Sequence, residues 1–309
     1  MPKTAKAAAD YILPLNMNGL SGRMLRLPPK GSKKRELLLV YGHHTSLERM
    51  MGLAEYLNRY GAITMPDLPG FGGMEAFYKI GEKPTLDNLA DYLAAFIKLR
   101  YRNKRLTIAG FSIGVIIVIR MLQKYPELVK KVDLVVSIVG FAHKDDFRFS
   151  KKRSFAYRTM TQIFLHRFPA AIYKHLILRP IFIRYAYRHM YNAKEKFRGM
   201  KAEELKKAIE LEIHLWRCND PRTYMFTANT MFRLDITAQH VDLPVHHVSV
   251  RKDRYFNNIL VEQHMRSIFS DFYLHKTSMP SHMPSIIATA DVAGPFVPES
   301  IRRLLRKKV

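Results

Sequence analysis

The sequence predicts an α/β protein: a mostly parallel sheet flanked by helices, with an all-helical insertion. Three observations carry this expectation. From Glu36 to Gly140, short unbroken apolar runs alternate with amphipathic stretches of helical length. Such alternation signals βαβ units, and strands covered on both faces read as unbroken apolar runs. A serine stands between two glycines in "GFSIG" (Gly110 to Gly114), where a strand pattern meets a helix pattern. From Phe147 to Met200 the alternation stops, and aromatic, aliphatic and basic residues mix at helical spacing.

The elements follow in order. "ELLLVYG" (Glu36 to Gly42) is a buried strand ending at glycine. "SLERMMGLAEYLNRYG" places Leu47, Met50, Met51, Ala54 and Leu57 on one helical face, and Gly61 stops it. "AITMPDLPGFGG" is a strand running into a Pro/Gly loop. "TLDNLADYLAAFIKL" is a helix with Leu86, Leu89, Ala90, Leu93 and Ile97 on one face. "RLTIAG", "IGVIIVIRMLQKY" and "VDLVVSIVG" continue as strand, helix and strand. In the basic stretch, Met160, Ile163, Phe164 and Phe168 have helical spacing. "ELKKAIELEIHLW" is amphipathic through Leu205, Ala208, Ile209, Ile213 and Trp216. Strand signals resume at "LPVHHVSV", then a helix at "NNILVEQHMRSIF", a strand at "DFYLHKT" and a final helix at "PESIRRLLRKK". The expected division is a first core segment 1–146, a helical cap 147–243 and a second core segment 244–309.

With 309 residues and 48% hydrophobic content, the chain has apolar residues enough for a sizeable core, which excludes a disordered protein. The single cysteine, Cys218, excludes an internal disulfide framework and fits a reducing compartment. Asp10 interrupts the N-terminal stretch before a signal-peptide apolar region develops, and no apolar run approaches the ~18 residues of a membrane span. The expected location is cytoplasmic, with peripheral membrane contact as an additional property. The net charge of +25 attracts anions in general: nucleic acid, anionic lipid or acidic metabolites. A proteome-wide bias toward Lys and Arg would give the same charge.

The glycines around Ser112 explain each other. A strand-to-helix turn this tight leaves no room for a Cβ at Gly110 or Gly114. The turn lifts the hydroxyl out of the sheet. It also leaves the Ile113 backbone N–H at a helix N-terminus, where it can donate to an anion.

These residues resemble the α/β-hydrolase family. "GFSIG" is similar to its nucleophile elbow. "LLLVYGHHTS" resembles its first oxyanion strand and loop, with Tyr41 where the family usually has His. "MPDLPGFGG" resembles its Asp-x-Pro-Gly-x-Gly loop, with Met74 where Ser is common. "QKYPELVKKVDLVVSI" and "DLPVHHVSVRKDRYF" are similar to the end of the elbow helix with its next strand, and to the strand and turn bearing the triad acid. The similarity covers most of Leu15 to Ser137 and Leu234 to Arg302, and the helices between fall where the family inserts a cap.

The resemblance implies a serine hydrolase acting on a carboxylic ester, thioester or similar acyl bond. Ser112 would be the nucleophile, Asp253 the acid and His282 the base, in the family's chain order. The oxyanion donors would be the backbone N–H groups of Ile113 and His43. Asp145 and Asp146, after "DLVVSIVG", are rival acids, and His275 is a weaker rival base. Ser281 replaces the glycine usual before the triad His. An inactive relative with a degenerate elbow would carry the same motif. His43–His44 and His246–His247 lack metal-ligand spacing, and there is no dinucleotide fingerprint, so no metal and no cofactor are expected.

From Phe147 to Met200 there are thirteen Lys or Arg and one acidic residue, Glu195, a net charge of +12. Apolar side chains interleaved with this charge, Tyr185 beside Arg184 among them, suggest an apolar acyl substrate and contact with an anionic membrane, with Arg179, Arg184 and Arg188 at the surface while Phe182 and Ile183 insert. Packing of cap helices on the core would explain many of the same apolar residues. The alternative function is a catalytically inactive protein binding membrane or nucleic acid through its basic surface. No nucleic-acid motif supports a nucleic-acid partner. The residues leave the oligomeric state open.

Overall fold

A computed structural model describes residues 7–31, 35–189, 201–251, 253–277, 282 and 289–307. Eight strands form one sheet in the order β1-β2-β4-β3-β5-β6-β7-β8. They are β1 (Ile12–Met17), β2 (Leu20–Leu27), β3 (Glu36–Val40), β4 (Ala62–Pro66), β5 (Leu106–Phe111), β6 (Val132–Ile138), β7 (Val241–Val250) and β8 (Phe269–Thr277). β1, β2 and β4 pair antiparallel, and all pairings from β4 to β8 are parallel. Every residue of β3, β4 and β5 is buried. Helices on both faces therefore cover the sheet centre, as its unbroken apolar runs require.

The apolar pattern puts no strand before Glu36, and the hairpin β1–β2 is an addition to it. Its signal is the Asn18–Gly19 pair, with φ of 52° and 77°. Positive φ at both turn residues is the geometry that Asn-Gly supplies at least cost.

The helices of the first half are α1 (Leu47–Leu57), α2 (Leu86–Arg100) and α3 (Ile113–Lys124). α2 begins where the Thr85 hydroxyl accepts the Asn88 N–H at 3.1 Å, and it packs on α3. After β6 come α4 (Lys151–Ile163), α5 (Arg167–Ile172) with a π turn at Tyr173–Ile177, α6 (Pro180–His189), α7 (Ala202–Cys218) and α8 (Pro221–Met231). α9 (Asn258–Ile268) connects β7 to β8, and α10 (Ala290–Ala293) and α11 (Glu299–Arg306) follow. No helix among the described residues is long and apolar enough to cross a membrane.

The inserted helices pack in two ways. Ile183 of α6 joins Ala208, Ile209 and Ile213 of α7 in a small core of their own. Ala228 and Met231 of α8 join the main core instead. Phe147 also packs inward, against Phe141 and Phe256. β7 starts at Val241, so the expected boundary at 243 falls inside a strand. Ile183 is buried, so it is not available for insertion into a membrane. Phe182 and Tyr185, by contrast, are exposed.

The parallel register aligns the strand ends that matter. Phe111 lies opposite Ile138, and Val250 opposite Thr277. The carboxyl ends of β5, β7 and β8 thus share one edge, where ligand sites of such sheets collect. α3 starts so close to β3 that a Cβ on Gly114 would overlap the Val40 carbonyl oxygen, which is backbone and has no freedom to turn aside. Gly114→Ala should therefore lower stability by about 1–3 kcal/mol. Urea unfolding should show a lower midpoint with an unchanged slope.

Candidate active site

Ser112 joins β5 to α3 with φ 52° and ψ −116°, a conformation that a residue bearing a Cβ holds only under constraint. Its N–H donates to the Ile138 carbonyl at 3.0 Å, tying the turn to the end of β6. A Cβ on Gly110 would come within 2.9 Å of the Val115 Cα, so the flanking glycines permit the turn sterically. The Ser112 side chain is half-buried at the strand tip.

His282 lies against it. Its Nε2 is 3.4 Å from Ser112 Oγ, and its Nδ1 is 2.6 Å from Asp253 Oδ2. A carboxylate only accepts, so the Nδ1–H donates to Asp253 and the Nε2 lone pair faces the serine. Tyr255 and Phe256 wall the ring, with centroids 5.1 and 5.2 Å away. Ser281 lies outside the described residues.

Asp253 follows β7 and is buried. Its Oδ1 accepts the N–H groups of Tyr255 and Phe256 at 2.8 and 3.1 Å. Burial opposes its charge, but the hydrogen bond and charge of His282 together with these N–H groups hold its pKa below the ordinary carboxylate value. Arg148, at the start of the insertion, steadies the same turn by donating from Nη1 to the Asp253 carbonyl at 3.1 Å.

The rivals face elsewhere. Asp145 is exposed. Asp146 is buried and accepts the Ala142 and His143 N–H groups, with His264 Nδ1 at 2.6 Å. His275, on β8, is engaged instead by His246 of β7 and Ser300 of α11.

Ile113 is the first residue of α3, so its N–H has no acceptor within the helix. The His43 loop lies beside the serine: a Cβ on Gly42 would be 3.4 Å from the Ser112 Cβ. The His43 ring is held by the insertion. Its Nε2–H donates to the Tyr224 carbonyl at 3.1 Å and lies 2.9 Å from Thr227 Oγ1, and the ring stacks on Tyr224 at 4.2 Å. Only the backbone of His43 remains for oxyanion binding. Among the described residues, no group of three or more His, Cys, Asp or Glu is arranged to hold a metal ion.

Tyr41 accepts the Leu68 N–H at 2.7 Å and donates to Asp67 Oδ1 at 2.9 Å, locking the Pro/Gly loop to β3. A cavity of about 560 Å³ opens among Tyr173, Leu176, Phe182, Tyr185, Tyr187 and Trp216 of the insertion. Trp216 ends it 4.1 Å from the His44 ring, beside the candidate oxyanion loop. A second cavity, of about 490 Å³, is lined by Arg120, Gln123, Asn229 and Arg233, and neither cavity includes any of the three triad candidates.

Two buried charges escaped the sequence reading: Arg49 on α1 and Glu212 on α7. Their signal was positional. Glu212 stands in the apolar face that runs through Leu205, Ala208, Ile209 and Trp216, where a solvated carboxylate does not belong.

The profile of the family described as serine aminopeptidase, S33, matches residues 31–268. No curated protein matches the sequence. Among solved structures, an N-formylmaleamic acid deformylase from Pseudomonas putida superposes with TM-score 0.62 at 17% identity, covering 92% of this chain and 99% of its own. An enol-lactonase from Burkholderia xenovorans gives 0.65 at 11% identity, covering 96% and 100%. A bacterial membrane phospholipase A gives 0.65 at 14% identity, covering 96% and 87%. These likenesses establish the α/β-hydrolase fold.

The buried histidines make a pH prediction. Burial, reinforced by neighbouring His44, pushes His43 down to about 3. Burial, with His275 adding to it, lowers His246 to about 4, and burial lowers His247 to about 4. Each folded value lies below the unfolded one, so unfolding takes up protons between roughly 4 and 6.5 and stability falls as pH drops through that window. Asp67 acts oppositely, since burial raises it to about 7 despite the charge of Arg23. Three histidines against one carboxyl leave net proton uptake on unfolding. The melting temperature should fall from pH 7 to pH 5, and the dependence should be shallower in His247→Gln by about one proton.

Proposed function

We propose that this chain, which belongs to the serine aminopeptidase, S33, family, is a serine hydrolase cleaving the ester bond of an apolar, lipid-like acyl substrate. The observation that carries the reading is the hydrogen-bonded series Asp253–His282–Ser112, with steps of 2.6 and 3.4 Å. His282 Nε2 takes the Ser112 proton as Oγ attacks the acyl carbon. The resulting oxyanion is met by the N–H groups of Ile113 and His43, and donors of this kind are worth about 3 kcal/mol each. His282 then gives its proton to the leaving alkoxide, which frees an alcohol and leaves the acyl-enzyme. Water, deprotonated by the same imidazole, attacks the acyl carbon, and the returning proton restores Ser112. Asp253 stays ionised throughout and stabilises the transient imidazolium.

Cleavage of an amino-terminal peptide bond is less well supported. A site for a free α-amino group calls for a carboxylate, and the residues lining the 560 Å³ cavity include none. Their aromatic and aliphatic walls suit a hydrocarbon chain.

A fluorophosphonate should label wild-type protein at Ser112, as read by mass spectrometry, and should leave Ser112→Ala unlabelled. Asp253→Asn should lose about 10³–10⁴-fold in kcat on a short ester, whereas Asp146→Asn, if folded, keeps its rate within about tenfold. No adduct at Ser112 would leave the inactive-relative reading standing, and full activity in Asp253→Asn would overturn the assignment of Asp253 as the acid.

The substrate source we favour is an anionic membrane. Of the seventeen large hydrophobic side chains exposed on the described surface, ten lie between Phe155 and Tyr185, among them Phe155, Ile163, Phe168, Ile181 and Phe182. Lys174 and Arg179 are exposed in the same segment, and Lys151, Lys152 and Arg188 on its flanks. Leu176, Phe182 and Tyr185 belong both to this face and to the cavity wall, so a chain lying on this face would meet the cavity. Each basic residue at an anionic surface contributes ~1 kcal/mol, screened by salt. Vesicles containing phosphatidylglycerol should bind the protein at low salt and release it as salt rises. The triple variant Lys174→Glu, Arg179→Glu, Arg188→Glu should lose binding and keep hydrolysis of a small soluble ester. Equal binding to phosphatidylcholine vesicles would refute the electrostatic part of the reading.

A further inference from the structure

The insertion meets the His43 loop through a buried ionic contact. Glu212 of α7 is fully buried. Its Oε2 accepts the Tyr187 hydroxyl at 2.7 Å and lies 3.5 Å from His44 Nε2, and its Oε1 lies 3.7 Å from Arg49 Nη1. The same Nη1 donates to the His44 carbonyl at 3.2 Å. Asn219, just past α7, accepts the Gly72 N–H on Oδ1 at 2.7 Å, which turns its Nδ2 toward His44 Nδ1 at 3.3 Å. His44 Nδ1 is then an acceptor, so the ring proton resides on Nε2, the atom facing Glu212.

His44 holds φ 53°, a left-handed conformation that persists in a non-glycine residue only where its surroundings enforce it. It is the next residue after the candidate oxyanion donor. An apolar side chain would join insertion and sheet at lower desolvation cost than a carboxylate. What the carboxylate adds is direction, toward one ring N–H and one guanidinium that both belong to the loop side.

We propose that Glu212 is a positioning residue: through His44 and Arg49 it fixes the His43 N–H toward the oxyanion, so that oxyanion stabilisation depends on the inserted helices being seated. This rests on the serine-hydrolase reading above. A merely structural Glu212 would affect every substrate alike, whereas a positioning Glu212 acts only where a strong oxyanion forms.

The test compares a short-chain ester with its thionoester, whose sulfur is a poor acceptor for backbone N–H groups. In Glu212→Gln, kcat on the ester should fall roughly tenfold to hundredfold with KM nearly unchanged, and the ester-over-thionoester preference should shrink by a similar factor. Losing the carboxylate leaves Arg49 buried and unpaired, so the double variant Glu212→Met, Arg49→Met supplies the second arm. Its apolar pair removes the uncompensated charge, so the variant should fold, with Tyr187 losing its acceptor, and still show the reduced preference. A folded variant that keeps the parental preference within about twofold overturns the proposal. Fluorophosphonate labelling of Ser112 in the same samples shows whether the serine-hydrolase reading survives that result. If the parent itself is not labelled, both fall.

Discussion

The turn at Ser112 is the constraint on which the site depends. A serine at φ 52° carries strain of about 1–3 kcal/mol, and it persists because the surrounding backbone leaves no alternative. β3, β5 and β6 fix its position, and the Ile138 carbonyl anchors its N–H. Gly42, Gly110 and Gly114 are small because three pieces of backbone converge on this point. From there the remaining geometry follows. The helix N-terminus falls beside the hydroxyl, and parallel pairing of β6, β7 and β8 delivers Asp253 and the carboxyl end of β8 to the same edge.

The inserted helices do more than cover that edge. Tyr224 and Thr227 of α8 hold the His43 ring, Asn219 bridges His44 and the Gly72 peptide, and Arg148 holds the turn of Asp253. Both halves of the site are thus braced by residues that lie between β6 and β7 in sequence. The outward surface of the same helices is apolar and basic together, an arrangement that simple solubility does not explain.

The sheet centre was legible because buried parallel strands have unbroken apolar runs and their helices keep a clean periodicity. Ser112 was legible because glycines at both flanks have few other uses. Assignment of Asp253 and His282 required the resemblance; their own surroundings, "RKDRYF" and "SMPSHMPS", say little. The structure brings these three residues within 2.6 and 3.4 Å of one another in series. The hairpin β1–β2 went unread because its outward faces are polar or half-exposed, leaving only Asn18–Gly19 as a mark. Ile183 was misread as surface because a helix in a small second core looks, in sequence, like one that faces a membrane. Glu212 and Arg49 were missed because each partner lies on a different helix, far apart in the chain.

The position of the insertion has a consequence for how the protein is made. β6 and β7 pair directly, Ile138 opposite Val248, though about a hundred residues separate them. Contacts across such a distance form late, since chain closure precedes their reward. A chain emerging N-terminus first can complete the turn at Ser112 from β3, β5 and β6 well before Asp253 and His282 exist to pair with it. Until β7 docks, β6 is an open strand edge, and synthesis passes through a stage with a finished turn at Ser112, no His282 beside it, and a flank ready to pair with another chain.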